Sequence, residues 1–577
     1  QEKRREMPIS HQVLFAAYET LVKTLGLPFE WVEAPDFAIR AYAYFKDPSS
    51  PEPLLLNSFF LKDLALARQV LPKGQCKSLQ QYLGVMRHKD RIDLCLDEAA
   101  LSNAVSPQST PLARWPSQGN HPLVLLQQAA VNLAFQETQD GGLLGINGPP
   151  GTGKTTLLRD LVAGVITQRA EVMAKFDDPT SVFEHSGQKI KVGNGWLHLY
   201  RVAESLRGFE LLVASSNNKA VENVSAELPG LKAIADEASG LRYFKVLSDQ
   251  LHQTETWGAI AAVLGNTKNR SQFKQDFWWD DDYGLNSYLQ AASGTKPQIE
   301  VVDPQTGEIT YRPPYIVEME KPPTNVDDAA KSWKSARNDF LAALDKSRQI
   351  QKWLEGLRQE MEQLSIFARN EVDALAKRDQ LTGEVYRCEV DVSSVQNRHT
   401  AADLQRQRVT EDLESHQQVK PGFWARLFRT QSAKAWVKRL ASIQVSCREA
   451  ETHCAEWGKK LQQLDRQLQQ LTNEKNNAEM AWQVAWNRHK QAKQSIADAQ
   501  QKYGVLFTDT EFFALENNER QKKTPWFPAA AQRSRDDVFI AAMALHRAFI
   551  DVAAKPLRHN LGALMNVFTN QTLPDAQ

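Results

Sequence analysis

Residues 142–160 read GLLGINGPPGTGKTTLLRD, and Gly148, Gly153, Lys154 and Thr155 satisfy the spacing G-x-x-x-x-G-K-[ST]. An apolar run, LLGI at 143–146, leads in, and a helical run, TTLLRDLVAGVITQ, leads out, so the context predicts strand, loop and helix. Glycines let backbone N–H groups turn inward around phosphate oxygens, and the helix N-terminus adds partial positive charge. On this reading Gly148, Pro149, Pro150, Gly151, Thr152, Gly153, Lys154, Thr155 and Thr156 cradle ATP. Lys154 bridges the β- and γ-phosphates, and the Thr155 hydroxyl ligates Mg²⁺.

Working outward, 121–326 alternates helical and strand-like runs, as in a parallel-sheet α/β lobe, and IEVVDPQTGEITYR (299–312) reads as a hairpin around a Pro/Gly turn. Residues 1–120 form a mostly helical accessory region, with apolar residues at helical spacing in HQVLFAAYETLVKTL and SFFLKDLALARQVL. From 327 to 503 the composition turns to Gln, Glu, Lys, Arg and Ala. The return half carries a heptad at Leu440, Ile443, Cys447, Ala450, Cys454, Trp457, Leu461, Leu464, Leu468 and Leu471. Ile350, Leu354, Leu357, Met361 and Leu364, then Leu381, Val385, Cys388, Val392 and Val395, repeat the spacing in the outgoing half. Sustained heptads on both sides of 418–431 predict an antiparallel coiled-coil hairpin, with arms of about 70–85 residues projecting roughly 100–130 Å. Residues 504–577 form a helical return segment, with DDVFIAAMALHRAFIDVAA as its helix.

Composition sets further bounds. The 577 residues exceed one core, and 69 basic against 69 acidic residues leave no bulk charge to recruit nucleic acid or membrane. Five cysteines make no disulfide framework, which favours a reducing, cytoplasmic setting. No apolar run is long enough to span a bilayer, so no membrane partner is expected.

Two features beside the loop carry a resemblance. Upstream, LLQQAAV places Gln127 in a Q-x-x-A-V arrangement; downstream, FELLVASSNNKAVENVSAEL gives a strand ending in small polar residues and a helix opening at Asn218. Together with GPPGTGKT, these runs resemble superfamily 1 helicases, and most closely the branch containing the nonsense-mediated-decay helicase. The resemblance covers 121–228 and implies a RecA-like first motor lobe, ATP hydrolysis and movement along single-stranded nucleic acid. It makes Gln127 the reader of the adenine edge. It makes Ser215, Ser216, Asn217, Asn218, Ala220, Val221, Glu222 and Asn223 motif Ia, contacting the strand backbone. Ser-Asn stands here where the family usually has Pro-Ser.

Hydrolysis in that family also needs an apolar strand ending in Asp-Glu, placed after motif Ia. LCLDEAA offers Asp97 and Glu98, but before the loop and at helical spacing; FWWDDDYG offers Asp280–Asp282 behind Trp278 and Trp279, read as a loop anchored by the two indoles. The expectation is a first lobe interrupted by a coiled coil and lacking motif II and a second lobe, so that this chain alone binds ATP and is nearly inactive. Two other readings fit the loop: an AAA+ or coiled-coil remodelling ATPase, and a nucleotide-gated coiled-coil scaffold. Cys447 and Cys454 read as seam filler, and no zinc site is predicted. At the hairpin tip Phe423, Trp424, Phe428 and Trp436 interleave with Lys and Arg, a pattern suited to capping the hairpin, docking a protein partner or gripping a strand.

Overall fold

The structure, a computed structural model, describes residues 10–32, 60–84, 92–139, 141–149, 151–192, 195–215, 218–238 and 240–567. Helices α1 (His11–Thr24), α2 (Phe60–Val70) and α3 (Lys77–Tyr82) occupy the N-terminal region, two of them on the runs with helical spacing. There follow α4 (Glu98–Ala104), α5 (Leu125–Glu137), α6 (Lys154–Met173), the hairpin β1 (Phe183–Val192) and β2 (Gly195–Val202), and α7 (Asn218–Glu227). Next come α8 (Lys245–His252), α9 (Thr267–Lys274), α10 (Leu285–Ala292), the hairpin β3 (Ile299–Val302) and β4 (Ile309–Arg312), and α11 (Tyr315–Glu320). The long arms are α12 (Val326–Gln418) and α14 (Gln431–Tyr503), joined through α13 (Phe423–Leu427). The chain returns through α15 (Thr510–Ala514), α16 (Asn517–Gln521), α17 (Ala529–Val552) and α18 (Ala554–Val567).

The fold is predominantly helical. The parallel sheet expected between 121 and 326 is not shown: the sheets among the described residues are two antiparallel pairs, β1–β2 and β3–β4. LLGI and the run 209–215 are extended but lie in no strand. Leu143 is 53% exposed, Ile146 39% and Leu212 93%. A parallel strand is stable only with neighbours that satisfy its backbone and cover both faces. Neither run has such neighbours among the described residues. The 299–312 hairpin does form, pairing Ile299 with Arg312 and Val302 with Ile309. The Asp303 carboxylate accepts from the Gln305 and Thr306 amides, and Gly307 takes φ +70°, the local chemistry a tight turn requires.

The body is built around α6, α17 and the root of α12. Trp115, Val162, Ala163, Ala170, Met173, Trp257, Trp333, Phe340, Leu344, Val538, Phe539 and Phe549 share one core. The Trp115 indole meets Phe539 at 5.2 Å and Trp257 at 5.5 Å, and both indole N–H groups are satisfied, by the carbonyls of Ala233 and Leu228. A second core joins α4 and α5 to the base of the hairpin through Leu101, Leu125, Leu354, Leu357, Ala499, Phe507 and Trp526. Among the described residues no helix is long and apolar enough to cross a membrane.

The heptad seam forms as its spacing predicts. Leu381, Val385, Cys388, Val395, Cys447, Ala450 and Cys454 are buried along α12 and α14. Partner numbers fall on one arm as they rise on the other: Glu371 meets His489 at 2.5 Å, the Cys388 thiol faces the Leu464 carbonyl, and the His416 ring stacks on Trp436. Burial pushes the Cys388 and Cys447 thiols up, as for small hydrophobes in a seam. The arms do not leave the body at their first residues. Trp333, Phe340 and Leu344 lie in the first core, and Leu354, Leu357 and Met361 against the second, so about 85 Å of α12 projects beyond Met361.

Two expected outcomes follow. Deleting 372–488 and joining Glu371 to His489 with a short glycine linker should leave a soluble body whose melting temperature stays within a few degrees, because that pair already closes the gap. A cut at 330 instead removes Trp333, Phe340 and Leu344 from the core and should abolish soluble expression. Circular dichroism melts of both proteins decide.

The second outcome concerns His546 on α17, whose Nε2–H donates to the Ile166 carbonyl of α6 at 3.1 Å. Burial pulls its pKa from 6.5 to about 4. The unfolded chain therefore takes up a proton near pH 6.5 that the folded chain refuses until about pH 4, so stability falls as pH drops through that window. The contribution is roughly 3 kcal/mol. Buried Asp160 and Asp536, whose pKa values burial raises, act in the opposite sense. The contribution of His546 is thus the difference between wild type and His546→Gln in urea midpoints at pH 7 and pH 4.5. A variant that loses as much stability as wild type between those pH values would refute the assignment.

Candidate nucleotide-binding loop

The loop precedes α6, whose N-terminal cap is Gly153 at φ +75°, and no side chain caps the helix. Gly151 takes φ +82°, so two residues occupy the left-handed region that glycine adopts without strain. The first-turn amides of a helix have no intrahelical acceptor, and here they stay open to a ligand. A Cβ on Gly153 would fall 2.5 Å from Gln127 Nε2, and one on Gly148 2.7 Å from Thr152 Oγ1. A side chain at either position would displace these polar side chains, and at Gly153 it would also strain the backbone.

Lys154 Nζ folds over the loop, 2.7 Å from the Gly148 carbonyl and 2.9 Å from the Pro149 carbonyl. The Thr152 hydroxyl donates to the Pro149 carbonyl at 2.8 Å, tightening the same turn. Thr155 and Thr156 lie half-buried in the first turn of α6; Pro150 lies outside the described residues. The exposed ammonium is held by these two neutral carbonyls.

Gln127, predicted from its motif, is brought to the loop by α5. Its Nε2 donates to the Thr152 carbonyl at 2.8 Å, and its Oε1 accepts from the Val124 amide at 3.2 Å. The carboxamide thus fixes the loop to the start of α5. Behind it, Gln128 donates to Asn132, whose amide reaches the Ala104 carbonyl and the Thr110 hydroxyl, so a buried polar chain sets the position of α5.

The other predicted residues do not converge on the loop as clearly. Ser215 ends the extended run and Asn218 opens α7, while Ser216 and Asn217 lie outside the described residues. Asp97 caps α4, accepting from the Ala100 amide at 2.9 Å; the helix read across LCLDEAA starts only at Glu98, and residues 94–96 before it form a turn. Asp282 forms an ion pair with Arg312 at 2.6 Å, which holds its carboxyl below the usual range. Asp280 accepts from the Asp282 and Tyr283 amides. Gln275–Trp279 forms a π-helical turn, where a loop was expected; Trp278 is buried, whereas Trp279 is 39% exposed, so the two indoles do not anchor it together. At the tip Phe423, Trp424 and Phe428 are exposed, but Trp436 is used to close the arms, its indole donating to the His416 carbonyl at 2.9 Å.

One residue the motifs did not indicate stands directly behind the loop. Asp160, the seventh residue of α6, is buried and accepts from the Trp115 amide at 3.0 Å. Beside it Arg114 forms a two-pronged pair with Asp536, at 2.6 and 3.0 Å. Arg535 donates to the carbonyls of Pro111 and Ala113. The only trace in sequence is an aspartate on the apolar face of α6, in line with Leu157 and Thr167.

No protein family, curated protein or solved structure was found to match this chain.

Proposed function

We propose that the chain is a P-loop ATPase of the helicase or translocase kind, binding ATP with Mg²⁺ at 148–156 and working on single-stranded nucleic acid. One observation carries this reading: an uncapped 20-residue helix begins at left-handed Gly153, with Lys154 folded over the loop and Gln127 fastened to it. That arrangement supplies unpaired amides, a helix dipole and a movable ammonium in one concavity, which suits a triphosphate. Lys154 exchanges two neutral carbonyl acceptors for β- and γ-phosphate oxygens. The Thr155 hydroxyl holds Mg²⁺, which draws charge off the transferring phosphoryl group. Gln127 is the adenine reader that the resemblance implies; its carboxamide is here engaged by the Thr152 carbonyl and the Val124 amide. On this reading the runs 143–146 and 209–215, which lie in no strand here, correspond to the first strands of a motor lobe, and Ser215 and Asn218 belong to the segment that meets the nucleic-acid backbone. Phe423, Trp424 and Phe428 offer a contact for a protein partner at the tip.

Lys154→Ala should lose detectable ATP binding in isothermal titration while its melt matches wild type. Gln127→Ala should weaken ATP binding by about two- to tenfold, the scale of one hydrogen bond, and let GTP compete better. Gly153→Ala should be worse than Gln127→Ala, because it adds a clash and a strained φ. Unchanged ATP affinity in Lys154→Ala would remove the basis of the reading.

Turnover is a separate outcome. Asp97 and Asp282 are engaged in a helix cap and an ion pair, so the chain alone should release phosphate barely above background, with or without oligonucleotide. Robust Lys154-dependent release would make Asp97 and Glu98, or Asp280–Asp282, a working acidic motif.

A further inference from the structure

Away from the loop, α18 closes against β2. The His559 Nδ1 accepts from the His198 amide at 3.2 Å, and the Asn560 carboxamide accepts from and donates to the Tyr200 backbone at 2.9 Å each. Two side chains of a helix thereby replace a neighbouring strand. Gly562 permits the approach: a Cβ there would meet Leu197 at 3.1 Å and Trp278 at 3.4 Å. Beside this junction opens a cleft of about 270 Å³, lined by Trp196, Trp279, Asn286, Arg558 and His559, with Trp278 behind. Trp196 is 49% exposed and Trp279 39%, both unusual for the largest apolar side chain.

The polar groups in the cleft are donors. Arg558 Nε donates to Asn286 Oδ1 at 2.9 Å, which leaves its terminal nitrogens and the Asn286 amide pointing no hydrogen bond elsewhere among the described residues. Burial alone lowers the Arg558 pKa; no carboxylate offsets it. Because His559 accepts through Nδ1, its Nε2 carries the hydrogen. Beyond burial, every neighbour that depresses His559 is cationic or protonatable: His198, Arg558, Lys555 and His185. Lys189 lies 4.6 Å over the Trp196 ring. Of the carboxylates following Trp279, Asp282 is paired with Arg312 and Asp280 accepts from two backbone amides, while Asp281 is exposed.

Indoles among hydrogen-bond donors, with Arg558, Lys555 and Lys189 close by, select a ligand. A quaternary ammonium, the usual guest of an aromatic cage, is repelled. A flat ring rich in acceptors, attached to an anion, fits on both counts. The volume lies just below the roughly 300–1,000 Å³ of sites for drug-sized ligands, room for one ring system. We propose that this cleft binds an unpaired nucleobase with its adjoining phosphate, the base against Trp196 and Trp279 and the phosphate on Arg558. Single-stranded nucleic acid and a free nucleotide share this chemistry. The inference shares a ligand class with the proposed ATPase but none of its residues.

The test is fluorescence anisotropy of labelled (dT)12 with the full chain, free of ATP and Mg²⁺, with AMP as competitor. Trp196→Ala and Trp279→Ala should each weaken the oligonucleotide by about tenfold, the scale of one base–aromatic stack, and Trp196→Phe should restore most of it. Arg558→Gln should lower the slope of log affinity against log salt by about one. Lys154→Ala should bind (dT)12 like wild type, which separates this cleft from the phosphate loop. Competition by AMP that the same tryptophan variants abolish would assign a mononucleotide as the guest of the same cleft. Wild-type affinity in both tryptophan variants with unaltered melts, or no binding of either probe to wild type, overturns the proposal.

Discussion

The buried ionic junction of Arg114, Asp160, Arg535 and Asp536 is the constraint on which the body depends. It joins three pieces distant in sequence: the extended segment 111–115, the phosphate-loop helix α6, and α17. A lone charge in such a place is prohibitive, but here nearly every prong has a partner: Arg114 grips Asp536 twice, Asp160 takes the Trp115 amide, and Arg535 spans two carbonyls and Gln532. Removing one partner of a buried pair costs about 3–5 kcal/mol, comparable with the whole stability of many domains. The pair therefore does more to fix geometry than to add net stability. It sets Trp115 against Phe539 and Trp257, and the first core closes around them.

The loop inherits its rigidity from this arrangement. Asp160 lies less than two turns from Lys154, so the start of α6 cannot rotate without breaking a buried hydrogen bond. The loop above is held on its other side by Gln127, itself held by the buried chain through Gln128 and Asn132. A site that must present backbone amides in one orientation benefits from such support, because amides already aimed at the ligand need no reorganisation on binding.

Legibility in the sequence followed the range of the interactions. The arms were readable because a heptad is a local pattern whose partner is the same pattern reversed, and its seam residues are buried or half-buried. The 299–312 hairpin was readable because Asp303 and Gly307 write the turn within five residues. The turn before α6 was readable because Gly151 and Gly153 take left-handed φ and the helix begins at Lys154, where the spacing places it. What could not be read was non-local. Two apolar runs, 143–146 and 209–215, look like sheet strands, yet strand pairing belongs to neighbours, and none stands beside them among the described residues. Asp160, Arg114 and Asp536 acquire meaning only when three distant segments meet. The aromatic cleft likewise needs α18 against β2, and Trp196 and Arg558 are far apart in sequence.

The same logic explains where the arm begins. Composition changes near 327, but the root of α12 packs along α17 and reaches the far end of α6 by hydrogen bonds and an ion pair. Arg337 Nε donates to the Ala174 carbonyl at 2.6 Å, Trp333 Nε1 to the Asp177 carbonyl at 3.0 Å, and Arg348 pairs with Glu171 at 3.1 Å. Arg337 thus satisfies a carbonyl at the C-terminus of the helix whose N-terminus forms the loop, where a cation also meets the negative end of the dipole. α6 is therefore a rod of about 30 Å with the glycine loop ending at Gly153 at one end and the arm's root at the other. Packed interiors transmit displacement instead of absorbing it, so a shift of α6 must move the acceptors of Arg337 and Trp333. A long coiled coil is a lever only if its root is stiff. The root here is stiff because it is part of the same core that positions the loop.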